Sequence, residues 1–165
     1  MPTFTQIGVA QVAGAGGSST FDFTSIPSTY TDLVIKLSAR ATSSGGWVNV
    51  TFNGTSSNLS GRYLYANPNN APVSGTGAPI LYTNPSGVTA SVFGSSELYV
   101  TNYAASANKS MSIDTINENN GTATDMLFQA ALWSDSAAIT RITLTPNTGL
   151  LAQYSTAYLY GVSNA

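Results

Sequence analysis

The chain has no cysteine and no histidine, and Lys, Arg, Asp and Glu together make up only 7% of its 165 residues. Without cysteine it can form neither a disulfide nor a thiolate metal site. Without histidine it lacks the side chain most used for proton transfer near neutral pH. Its basic residues are Lys36, Arg40, Arg62, Lys109 and Arg141, and they are scattered. Nucleic-acid binding needs clustered cations that release phosphate counterions, so dispersed Lys and Arg with a net charge of −2 argue against it. No apolar run approaches the roughly 18 residues of a membrane-spanning helix, so no membrane partner is expected. The first twenty residues have no basic start and no continuous apolar stretch, and do not read as a secretory signal.

What is present is Ser, Thr, Asn, Gly, Ala and Tyr around short apolar runs. Hydrophobic residues reach 42%, and a chain of this length buries roughly two-thirds of its unfolded surface. That suffices for one domain without metal, disulfide or cofactor. Alternation with period two recurs throughout, and the helical period never takes hold. Between Thr31 and Thr42, Leu33, Ile35, Leu37, Ala39 and Ala41 face one way, against Lys36, Ser38 and Arg40. Val48, Val50 and Phe52 share a face, and Asn53-Gly54 then turns the chain because both residues tolerate positive φ. A strand from Thr122 to Trp133 is expected to point Met126, Phe128, Ala130 and Leu132 inward, with Asp125 and Gln129 outward. A strand from Ala138 to Thr145 adds Ile142 and Leu144.

The expected core is therefore Leu33, Ile35, Leu37, Val50, Phe52, Met126, Phe128, Leu132, Ile142 and Leu144. Short strands joined by Gly, Pro and Asn turns point to an all-β, antiparallel two-sheet β-sandwich, jelly-roll-like, with an Ig-like sandwich as the nearest rival. Residues 1–19 read as a flexible N-terminal arm or an edge strand, and 20–165 as a single β-sandwich domain. The proline-rich stretch 66–86 reads as a long functional loop.

Candidate catalytic and metal constellations are weak. Lys109 and Ser110 are adjacent, so on a strand they point to opposite faces, and Lys109 reads as a surface lysine beside a turn. Asp114, Glu118 and Asp125 flank the turn Asn117–Gly121 and read as solvated charges rather than a glycosidase pair. Asp114, Asn117, Glu118, Asn119 and Asn120 offer many oxygens for calcium, but not in the order of an EF-hand loop. Asn-x-Ser/Thr triplets at Asn49, Asn53, Asn58, Asn108 and Asn120 follow from the composition. The aromatics carry more. Trp47, Tyr63, Tyr65, Tyr99, Tyr103, Tyr154, Tyr158 and Tyr160 stand among small polar residues, a chemistry suited to protein contacts or sugar stacking. The same residues also suit cross-strand pairing within a sheet.

The run Ser25-Ile26-Pro27-Ser28-Thr29-Tyr30-Thr31-Asp32-Leu33-Val34-Ile35, preceded by Phe23, leads to Val48-Asn49-Val50-Thr51-Phe52-Asn53-Gly54 and then Arg62-Tyr63-Leu64-Tyr65. This order, over roughly the first 40% of the chain, resembles small tailed-phage virion surface proteins of the capsid decoration or cement β-sandwich type. The resemblance implies a non-enzymatic virion structural protein on the outer surface of a capsid. It would bind the major capsid protein, clamp neighbouring subunits and associate with itself as a homotrimer. The rival expectation is a carbohydrate-binding or receptor-binding module of a tail fibre or secreted enzyme, with a host-surface glycan as partner.

Overall fold

The computed structural model describes residues 1–120 and 124–163, all but Asn70 with their side chains. Gly121 of the expected turn and Thr122, the expected strand start, lie outside the described residues. Twelve strands and no helix occur among those described. They are β1 (Thr3–Gln11), β2 (Phe21–Phe23), β3 (Asp32–Ala39), β4 (Trp47–Phe52), β5 (Leu59–Asn67), β6 (Asn70–Thr76), β7 (Ile80–Tyr82), β8 (Gly94–Val100), β9 (Lys109–Glu118), β10 (Thr124–Trp133), β11 (Ile142–Pro146) and β12 (Thr156–Ser163).

Two antiparallel sheets result, ordered β1-β12-β3-β8-β9-β10-β5-β6 and β2-β11-β4-β7. Setting β5, β6, β9 and β10 aside leaves β1-β12-β3-β8 facing β2-β11-β4-β7. Renumbered in chain order, those eight strands run 1-8-3-6 and 2-7-4-5, which is the strand order of a jelly roll. The other four are two hairpins, β5–β6 inserted between β4 and β7, and β9–β10 between β8 and β11. They meet through β10–β5 pairing and widen one sheet into a four-stranded extension.

Local chemistry explains the joints. Asn53 and Gly54 both take positive φ, 51° and 80°, and Phe52 and Thr55 exchange backbone hydrogen bonds across them. The Asn53 side chain then accepts from the Thr140 and Arg141 amides and donates to Ala138 O, fixing residues 138–141 as a loop. Strand β11 consequently starts at Ile142, not Ala138. Residues 3–11 pair with β12 along their whole length, with an irregularity between Gln6 and Gly8, and form an edge strand. Stretch 66–86 is not one long loop. It contains β6, where Pro72 is tolerated because the strand is an edge, and β7.

Leu33, Ile35, Leu37, Val50, Phe52, Ile142 and Leu144 are buried between the sheets as expected. Strand β10 is turned over relative to expectation. Leu127, Ala131 and Trp133 point inward, whereas Met126 and Phe128 are exposed and Leu132 is half-buried. The cause is that β10 is apolar on both faces, so alternation alone cannot orient it. Pairing with β9 decides, because Ala131 and Gln129 stand opposite the inward Met111 and Ile113. Trp133, the bulkiest side chain, then packs on Phe52 with ring centroids 5.5 Å apart. Gln129, expected outside, is buried. Its amide donates to Gly77 O and Ala78 O, and its carbonyl accepts from the Ile80 amide, anchoring the β6–β7 connection. Lys109 is likewise not a surface residue. It is fully buried, and its ammonium donates to the carbonyls of Ala105, Ala107 and Asp135.

Candidate functional site

The aromatic residues singled out from the sequence do not converge on one site. Tyr103 is fully buried, its hydroxyl bonded to Pro27 O, so it belongs to the core and offers no surface to a partner. Tyr63 and Tyr65 lie half-buried on the inward side of β5. The Tyr65 ring meets Tyr82 edge-on at 6.2 Å, and its hydroxyl donates to Asp125 at 3.1 Å. Burial pushes Tyr65 and, more strongly, Tyr82 above the ordinary phenol range, and nearby Asp125 adds to both shifts. Tyr99 donates to Asp32 at 2.7 Å, and that bond together with burial pushes its pKa up to about 12. Trp47, 41% exposed, stands on the outer face of the smaller sheet with Tyr82 as its register partner and Asn49 on the same face. Tyr154 is 66% exposed at a turn before β12, with φ at +71°.

The candidate carboxylates and metal oxygens diverge. Asp125 shares the inward side of β10, and Asp114 the opposite face of the sheet. The Glu118 carboxylate accepts the Asn120 amide at 2.6 Å, and Asn117 donates to Thr83 O at 3.4 Å. Among the described residues no three acidic side chains come together around a common point.

The most distinctive surface is the outer face of the eight-stranded sheet. Because opposed residues in adjacent antiparallel strands share a face, the ladders give its layout row by row. One row runs Val9, Tyr158, Lys36, Glu97, Asp114, Phe128, Leu64, Ser74. The row on one side runs Gln6, Tyr160, Val34, Tyr99, Ser112, Ala130, Arg62, Thr76. On the other side lie Thr156, Ser38, Ser95, Ile116, Met126 and Ala66. The face is thus divided. Over the jelly roll proper it is tyrosine and charge, with Lys36 bridged to Glu97. Over the extension it is apolar, with Leu64 61%, Phe128 44%, Ile116 41% and Met126 36% exposed.

Two open depressions, of about 760 and 440 Å³, indent this half beside Ala130, Arg62 and Leu64. Arg62 and Asp114 border the apolar area from β5 and β9, the strands on either side of β10, and neither is in a salt bridge among the described residues. The sequence did contain a signal for this face. Tyr63-Leu64-Tyr65-Ala66 and Met126-Leu127-Phe128 are apolar at both parities, which one buried side does not require.

No family model, curated protein or solved structure matches the chain.

Proposed function

We propose that the chain is a non-enzymatic virion surface protein, a decoration protein that sits on the outside of an assembled capsid and clamps neighbouring subunits. The observation that supports this best is the uncovered apolar face of the sheet extension. Four large apolar side chains on adjacent strands form a contiguous patch of the kind that marks an assembly surface. The jelly roll is an architecture of viral shells and of lectins alike, so the fold supports the reading without selecting it. Repetition on a shell would turn individually weak contacts into firm retention.

The test is to mix the purified protein with capsids that lack it and recover the particles by sedimentation. Saturable co-sedimentation, with density on the outer shell in electron micrographs, is the expected result. No particle association at micromolar protein would overturn the proposal. The sugar-binding rival has one specific observation in its favour, the exposed Trp47 beside Asn49 on the smaller sheet. Binding on a glycan array that disappears in Trp47→Ala would establish that rival.

A further inference from the structure

We infer that the extension face of β9, β10, β5 and β6 is covered by the same face of a second copy of this chain, related by a two-fold axis. The inference rests on reading that face as the assembly surface, and names its occupant.

Charge points to a second copy. Asp114 stands directly opposite Glu97, a like-charged pair across β9 and β8. Lys36 already engages Glu97, which leaves the Asp114 side of the row with excess negative charge. Arg62 lies two strands away on the same face, one row off, with Phe128 and Ala130 between them on β10. That separation is about 12 Å from strand spacing and rise, too far for a contact within one copy. A two-fold axis that lies in the face, passes between Phe128 and Ala130 and runs perpendicular to the Arg62–Asp114 line exchanges the two positions. Arg62 of each copy then meets Asp114 of the other, giving two identical ion pairs. The same operation sets Leu64 and Phe128 of the two copies against one another near the axis. A surface whose basic and acidic flanks interchange in this way is self-complementary, as an isologous interface must be.

Size places this contact at the small end of specific interfaces, where association is weak and concentration-dependent. Four strands at about 4.8 Å spacing and some seven residues of rise give a projected patch of about 450 Å², over half of the roughly 800 Å² each partner of a standard interface contributes. A two-fold pair also presents two copies of every remaining surface, the arrangement a clamp between neighbouring subunits requires. It closes with two chains, where the virion resemblance led to an expectation of three.

Sedimentation velocity of the full chain at micromolar concentration tests this. A dimer is expected, with at least a tenfold weaker association in Phe128→Asp, Arg62→Asp or Asp114→Arg. Each variant's fold is checked by circular dichroism. The charge-swapped double variant Arg62→Asp with Asp114→Arg should recover most of the lost association. A monomeric wild type, a dimer indifferent to Phe128→Asp, or a failed charge-swap rescue would each overturn the inference. Capsid co-sedimentation of the same proteins separates the two claims. If a monomeric wild type still loads onto capsids and Phe128→Asp does not, the face belongs to the shell protein and only the second-copy inference falls.

Discussion

Lys109 and Trp133 stand opposite each other in the β9–β10 ladder, and the lysine ammonium lies 5.5 Å from the centre of the indole ring. One face of the cation is held by the ring, and its protons go to three backbone carbonyls that close the loops before β9 and after β10. Lys109→Ala removes the donor to three carbonyls at once and should destabilise by at least about 2 kcal/mol. Lys109→Met restores much of the packing but none of the hydrogen bonds, so it should still cost about 1–3 kcal/mol. Urea denaturation measures both, and wild-type stability in Lys109→Met would contradict a structural role for the charge.

Phe52 and Phe128 separate the observed core from the one the alternation suggests. Phe52 is fully buried against Trp133, and Phe52→Ala should cost about 3–5 kcal/mol. Phe128 is 44% exposed, and Phe128→Ala should cost less than about 1 kcal/mol when measured on the monomer. Equal losses at the two positions would mean that β10 faces the other way.

Alkaline titration should weaken the fold. Tyr65, Tyr82, Tyr99 and Tyr103 all have phenol pKa values raised above 10 in the folded state, Tyr99 to about 12. Above pH 10 the unfolded chain loses these protons first, so the native state holds more of them and stability falls as pH rises. Their contribution is fully present below pH 10 and is lost on passing through the folded-state values. Lys109 acts in the opposite sense, since burial lowers its pKa and the unfolded chain holds the extra proton. Four groups against one give a net decline between about pH 10 and 12, read by denaturant midpoints, and Tyr99→Phe should flatten it. A midpoint that stays constant to pH 11.5 would contradict the burial of these hydroxyls.

Two glycines should respond differently to an added methyl group. A Cβ on Gly161 would run into the ring of Tyr30, which packs flat on β12 there. Gly161→Ala should therefore cost about 1–3 kcal/mol as Tyr30 is displaced. A Cβ on Gly14, in the loop between β1 and β2, meets nothing within 4 Å, so Gly14→Ala should change stability by no more than about 0.5 kcal/mol. Thermal melts of the pair provide the comparison.

The jelly roll was legible wherever a strand has one wet side. In β3, Lys36 and Ser38 alternate with buried Ile35 and Leu37, and in β4 Trp47 and Asn49 alternate with Val48 and Val50, so period two fixed their orientation. At β10 that signal fails, because the strand is apolar at both parities and only its pairing with β9 decides which side is buried. Lys109 and Gln129 were misplaced for a related reason. A polar residue type suggests solvent, while the loop carbonyls that satisfy each of them come from segments distant in sequence, such as Asp135 and Gly77. The exposed apolar face escapes notice with them, since alternation places Met126 and Phe128 in the interior. The tyrosines were conspicuous in sequence, yet Tyr103 fills the core, Tyr63 and Tyr65 lie on the inward side of β5, and Tyr99, Tyr158 and Tyr160 share the outer face of the roll.

The two inserted hairpins are not equivalent neighbours. Strand β9 pairs with β8, so the β9–β10 hairpin grows directly from the roll, whereas β5–β6 has only the free edge of β10 to pair with. The second hairpin can therefore dock only after the first has formed, and it can detach while the first remains. The expected order of assembly has the roll as template for β9–β10 and β9–β10 as template for β5–β6. The outermost pair should open before the hairpin it docks on, and its amides should exchange with solvent ahead of those in the roll.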